Sequence, residues 1–110
     1  MKEIKIPLVH RSIEIFHGTN EKEYNAFAKI VKQMGGTMFE KKELEDIGGF
    51  TYGSVIYIPM IEEEILFHEL SHALNCIFEK LGCEKEDEFK SYIWGYVAKE
   101  ALKLFKKELK

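Results

Sequence analysis

After Pro59 the apolar residues change their spacing. Leu66, Leu70, Ala73, Leu74, Ile77 and Leu81 recur at steps of three and four, which gathers them onto one stripe of an α-helix. Glu62, Glu63 and Glu64 stand where the positive end of a helix favours carboxylates, and Gly82 follows Leu81 as a terminator. A helix of about five turns is predicted. Its stripe needs another layer to cover it, and that requirement shapes the rest of the chain.

The remainder supplies candidates for that layer. Ile4, Ile6 and Leu8, then Ile13 and Ile15, alternate with polar neighbours and predict one or two short strands. A first helix is expected over about Glu21–Met34. Asn20 is its cap, Glu23 stands at the capping-box position and Gly35 follows its end, while Tyr24, Phe27, Ala28, Val31 and Met34 form its buried stripe. Between Thr37 and Met60, Gly48, Gly49 and Gly53 punctuate β-formers, so short strands are expected near Phe50–Tyr52 and Ser54–Ile58, with Pro59 as the stop. A last helix fits Glu84–Leu109, acidic at its start and lysine-rich at its end, with Phe89, Ile93, Tyr96, Val97 and Phe105 on its apolar side. The expected class is α+β: one domain of 110 residues, a short mixed sheet and three main helices.

The long helix contains His68-Glu69-Leu70-Ser71-His72. Residues four apart on a helix differ by about 40° in direction and about 6 Å in rise, so both imidazoles reach one ion. Glu69 lies about 100° from His68, near enough to take a proton from a water on that ion without binding the metal itself. This is why two zinc histidines with a general base take this spacing. The competing reading is a solvated face. It fits less well, because the polar group follows the apolar Ile65-Leu66-Phe67 and adjoins the leucine stripe, where unpaired polar atoms are costly.

A third protein ligand is needed. Cys76 continues the series from His72, and Cys83 follows the turn, but His68 and Cys76 are separated by about 12 Å of rise. A closed site of His72, Cys76 and Cys83 would strand His68 and leave Glu69 without a task. Otherwise the two cysteines are small, buried apolar residues suited to a reducing compartment. The alternative is a carboxylate from the first turn of the last helix: Glu86, Asp87 or Glu88.

Three segments together carry a resemblance: "HELSHA" at His68–Ala73, "LG" at Leu81–Gly82 and "DEFKSYIWGY" at Asp87–Tyr96, preceded by "GSVIYIP". Over roughly Gly48 to Lys99 the chain resembles small HExxH metallopeptidase-like proteins of bacteriophages and mobile elements, similar to the gluzincin type of zinc peptidase. The resemblance implies a zincin-like domain, one Zn2+ per chain, His68, His72 and Glu88 as ligands and Glu69 as base. On the last helix Glu88 shares a face with Ser91, Tyr92 and Gly95, where a glycine permits close approach. Tyr92 is the candidate donor to the oxyanion. Asp87 is placed to cap the helix or support a ligand histidine.

The activity expected is hydrolysis of a peptide bond by a zinc-activated water, on an unknown peptide or protein substrate. An extended substrate is expected to add to a strand edge at Ser54–Ile58. The alternative is a zinc-binding protein that acts by binding a partner, and after it a structural zinc site or a metal-free interaction domain. His10 and His17, on the N-terminal strands, are expected at the surface, with His17, just before Gly18, able to approach the site. A net charge of −3 gives no general pull toward nucleic acid. No apolar run approaches the roughly 20 residues of a membrane span. The first residues lack the apolar stretch of a secretion signal, so a cytoplasmic location is expected.

Overall fold

The computed structural model describes residues 1–109. Strands β1 (Lys2–Ile6) and β2 (Arg11–His17) form an antiparallel pair with Ile4 opposite Ile13. Pro7 starts a 3-10 turn over Pro7–Val9 and ends β1 two residues before Leu8, which is left exposed rather than carried on the strand. His10 closes that turn in the left-handed region at φ 53°.

Helix α1 (Glu21–Gln33) follows, and the Asn20 side chain accepts its Glu23 N–H at 3.1 Å. The capping box is only half formed, because the Glu23 carboxylate accepts the His17 N–H and pairs with the Met1 ammonium at 2.8 Å. Phe27, Ala28 and Val31 are buried as expected, whereas Met34 caps the helix end and is exposed. Helix α2 (Lys41–Ile47) was not anticipated. It buries only Leu44, and seven residues are too few to display a helical period. Gly48 ends it at φ 95°.

Strands β3 (Phe50–Tyr52) and β4 (Val55–Ile58) form a tight hairpin. Then come α3 (Glu63–Leu81), which carries both histidines, and α4 (Asp87–Leu104). The fold is α+β, with four α-helices among the described residues and a four-stranded mixed sheet ordered β1-β2-β4-β3. β2 and β4 pair in parallel, with α1 and α2 in the connection between them.

The sheet separates two cores. Ile13 and Ile15 of β2 and Ile56 and Ile58 of β4 face Leu66, Leu70, Leu74 and Ile77 of α3, together with Ile93 and Val97 of α4. Their neighbours Phe16, Val55 and Tyr57 face Phe27 and Val31 of α1 and Leu44 of α2. β4 is buried on both faces and flanked by strands on both sides. It therefore offers no free edge, contrary to the expectation for Ser54–Ile58. The free edge on that side of the sheet belongs to β3.

Candidate metal and hydrolytic site

α3 is rotated by its core stripe, and the rotation decides what its other side presents. With Leu66, Leu70, Ala73, Leu74 and Ile77 held against the sheet, His68 and His72 are left exposed. The two rings meet edge to face at 4.8 Å, and their Nε2 atoms stand 3.2 Å apart. Two ligands of a tetrahedral zinc at 2.0–2.1 Å are separated by about 3.3 Å, so the pair already has the bite of one ion. The same distance suits an N–H···N hydrogen bond between unlike tautomers, and the two arrangements share one geometry.

Glu69 lies between the stripe and the histidines. It is 7% exposed, the one buried charged residue among those described. β3 explains how it is held. Thr51 Oγ1 donates to Glu69 Oε1 at 2.6 Å and also lies 3.2 Å from the Glu69 carbonyl oxygen. Gly49 makes room for the side chain: a Cβ there would stand 3.1 Å from Glu69 Cγ and 3.3 Å from the Tyr57 carbonyl oxygen. Glu69 Oε2 is 3.9 Å from His68 Nε2 and has no hydrogen-bond donor among the described residues. No buried side-chain oxygen or nitrogen is unsatisfied there, so Oε2 is open to the cleft.

The cleft has a volume of about 710 Å³, within the range of small-molecule and peptide sites. Gly49 with Phe50 and Thr51 of β3 forms one wall, and α3 the other with Glu64, His68, Glu69, His72 and Cys76. Thr51 and Gly49 were not singled out in the sequence. A lone threonine and one glycine of several carry no signal until β3 is laid beside α3.

The last helix does not join this site. Its apolar residues Ile93, Val97 and Ala101 are buried against β1 and the core, and this fixes its rotation. Glu88, Ser91, Tyr92 and Gly95 all fall on exposed positions, and a Cβ on Gly95 would meet nothing within 4 Å. No close helix approach occurs there. Tyr92 is 68% exposed and lines a hollow with Ile6, Pro7 and Leu8, at the β1 edge of the sheet. The cleft lies at the β3 edge, three strand spacings away, about 14 Å. Among the described residues no group of three His, Cys, Asp or Glu side chains is gathered as an ion would need, so Glu88 is not brought to the histidines.

Glu86 takes the N-cap position of α4 and Asp87 the first helical one, and Asp87 makes no hydrogen bond to either histidine. Cys83 follows the end of α3, with its thiol toward the Phe78 carbonyl oxygen at 3.6 Å, while Cys76 lines the cleft one turn beyond His72. Both thiols are free. His17 packs edge-on against Phe105 at 5.2 Å and does not line the cleft. No described helix is long and apolar enough to cross a membrane. Comparison with protein-family models, with curated proteins and with solved structures gives no match.

Proposed function

We propose that the protein is a zinc-dependent peptide hydrolase whose centre is His68, Glu69 and His72. The observation that carries this reading is the 3.2 Å between the two Nε2 atoms beside a buried carboxylate with one oxygen held and the other open. A chance pair of surface histidines gives no reason to bury a carboxylate beside them and hold one of its oxygens with a threonine hydroxyl. His68 and His72 would hold the metal through Nε2. Zinc, when bound, supplies a Lewis acid and acidifies water to near neutrality.

The chain's own residues do the rest. Thr51 anchors Oε1, so that Oε2 points at the space before the histidines and accepts a proton from the attacking water. Glu69 then returns that proton to the leaving amine. The free edge of β3 holds an extended peptide by main-chain hydrogen bonds alongside α3.

A second reading has two observations in its favour. Among the described residues no third ligand stands with the histidines, and Tyr92 is far from the cleft. These features suit a protein of the same cleft that binds a peptide without cleaving it. One set of variants separates the two. Untagged wild-type protein reconstituted with zinc is expected to hold about one zinc per chain by elemental analysis, and His72→Ala to lose it. Glu69→Gln should retain zinc while cleavage of a quenched fluorescent peptide library falls by at least about a hundredfold. Zinc retained by wild type without zinc-dependent cleavage leaves the binding reading. Absence of zinc after reconstitution overturns the metal centre.

A further inference from the structure

Both outer strands of the sheet lack a neighbour on one side, and β1 is the longer of them. Its phase is fixed by β2. Glu14 stands opposite Glu3, but the Glu14 N–H goes the other way, to the Ser54 carbonyl oxygen at 3.1 Å. Glu3 and Glu14 are therefore a non-hydrogen-bonded pair, and the Glu3 N–H and C=O point out from the sheet edge. Lys5, two residues on, is in the same phase. No loop or turn among the described residues bonds to these backbone groups.

The side chains of the same two residues are unmatched as well. Glu3 and Lys5 are exposed and form no ion pair among the described residues. Side chains stand close in a non-hydrogen-bonded pair, and what Glu3 faces there is a like charge, Glu14. Lys5 faces Ser12. Helix α1 covers β2 farther along, at Phe16, and leaves this corner of the sheet open.

Charges on an edge strand ordinarily keep it from pairing. Here their order makes the edge self-complementary. When two β1 edges meet antiparallel about Ile4, Glu3 of each copy stands opposite Lys5 of the other. Each of these pairs exchanges two main-chain hydrogen bonds, about four in all. Centring the contact on Glu3 or on Lys5 instead sets like charge against like, so the charges select one register. That register also puts a lysine beside Glu3 on the side away from Glu14, which offsets the repulsion within the chain. Leu8, 60% exposed, and Tyr92, 68% exposed, lie at the end of the same edge and add apolar surface to it.

We propose that β1 pairs with β1 of a second copy of the chain in a two-fold dimer, joining two four-stranded sheets into one. The histidine cleft lies at the β3 edge, the opposite side of the sheet. The dimer therefore rests on neither zinc nor hydrolysis, and it leaves both clefts open.

Untagged protein is followed by sedimentation equilibrium in low-salt buffer over a series of concentrations. An edge contact of this size gives a weak, reversible dimer. The weight-average mass of wild type should rise from 12.9 kDa toward twice that value at concentrations below about 1 mM. Glu3→Lys and Lys5→Glu each set like charges opposite one another across the interface and should weaken association at least about tenfold. An equimolar mixture of the two variants restores both opposite-charge pairs in a heterodimer and should associate as wild type does. One chain carrying both substitutions should do the same by itself. A wild type that stays at 12.9 kDa up to about 1 mM overturns the proposal. So does a dimer indifferent to either reversal, as pairing through the β3 edge would be. Failure of both the mixture and the doubly substituted chain to associate, with circular dichroism unchanged from wild type, overturns it too.

Discussion

Glu69 shows how much a single side chain depends on its neighbours. Its position in the helix brings it to the cleft, but Thr51 and Gly49 decide where its oxygens go. Thr51→Val keeps the shape and removes the donor. It is expected to cost about 1.5 kcal/mol by urea denaturation, the low end for a hydrogen bond to a charged group, because cleft water can replace the hydroxyl. Thr51→Ser should recover most of that, and zinc content should be unchanged in both. Gly49→Ala is more severe. The new methyl group meets the Tyr57 carbonyl oxygen on one side, which is backbone and cannot give way, so the Glu69 side chain must shift. About 1–3 kcal/mol of destabilisation is expected, with cleavage lost and zinc retained. A Gly49→Ala protein with full stability and unchanged cleavage would contradict this placement of Glu69.

Among the elements, α3 and α4 differ in how their polar faces are used. α3 sets its histidines beside β3 because its leucine stripe has one way to face the sheet. α4 obeys the same rule with the opposite result for Glu88: burying Ile93, Val97 and Ala101 turns Glu88 and Tyr92 outward. Two substitutions separate the roles. Ile93→Ala, at a side chain 1% exposed, is expected to destabilise by about 2–5 kcal/mol in thermal or urea unfolding. Glu88→Ala is expected to leave both stability and zinc affinity unchanged, measured by competition with a chromophoric chelator. A severe loss of zinc in Glu88→Ala would mean that α4 turns to meet the metal, as the resemblance to HExxH peptidases implies.

At the scale of the molecule, the chain's beginning, the end of β2 and the end of α4 converge around His17. Its ring packs on Phe105, and the Lys2 ammonium lies 4.8 Å from the same aromatic ring. Burial pushes the His17 pKa down and the Lys2 charge adds to this, against the opposing pull of the Glu23 carboxylate. The protonated ring is thus disfavoured in the folded state. Below pH 6.5, the ordinary value, the unfolded chain takes up a proton that the folded chain resists, so stability falls as pH drops from there toward the lowered folded value. Above pH 6.5 the contribution is constant. His17→Phe should flatten this part of the stability–pH curve in zinc-free protein, and a slope unchanged from wild type between pH 7 and 5 would rule the histidine out as its source.

Local physics determined several features from sequence alone. The strand alternation around Ile13 and Ile15, the Asn20 cap, the 3.6-residue stripe of α3 and the pairing of His68 with His72 each depend on residues a few positions apart, and each is present in the structure. What required the tertiary fold was everything set by two elements meeting. β3, not β4, became the free edge, because β4 is inserted in parallel beside β2 and so has a partner on each side. Thr51 and Gly49 acquired their contacts with Glu69 from that arrangement. Glu88 and Tyr92 were placed by the burial of α4's apolar side against β1, a demand that outweighs any preference of exposed polar groups because each buried aliphatic side chain contributes about 1.5–3 kcal/mol. Periodicity specifies which residues share a face. Which way that face turns is decided by the packing partner.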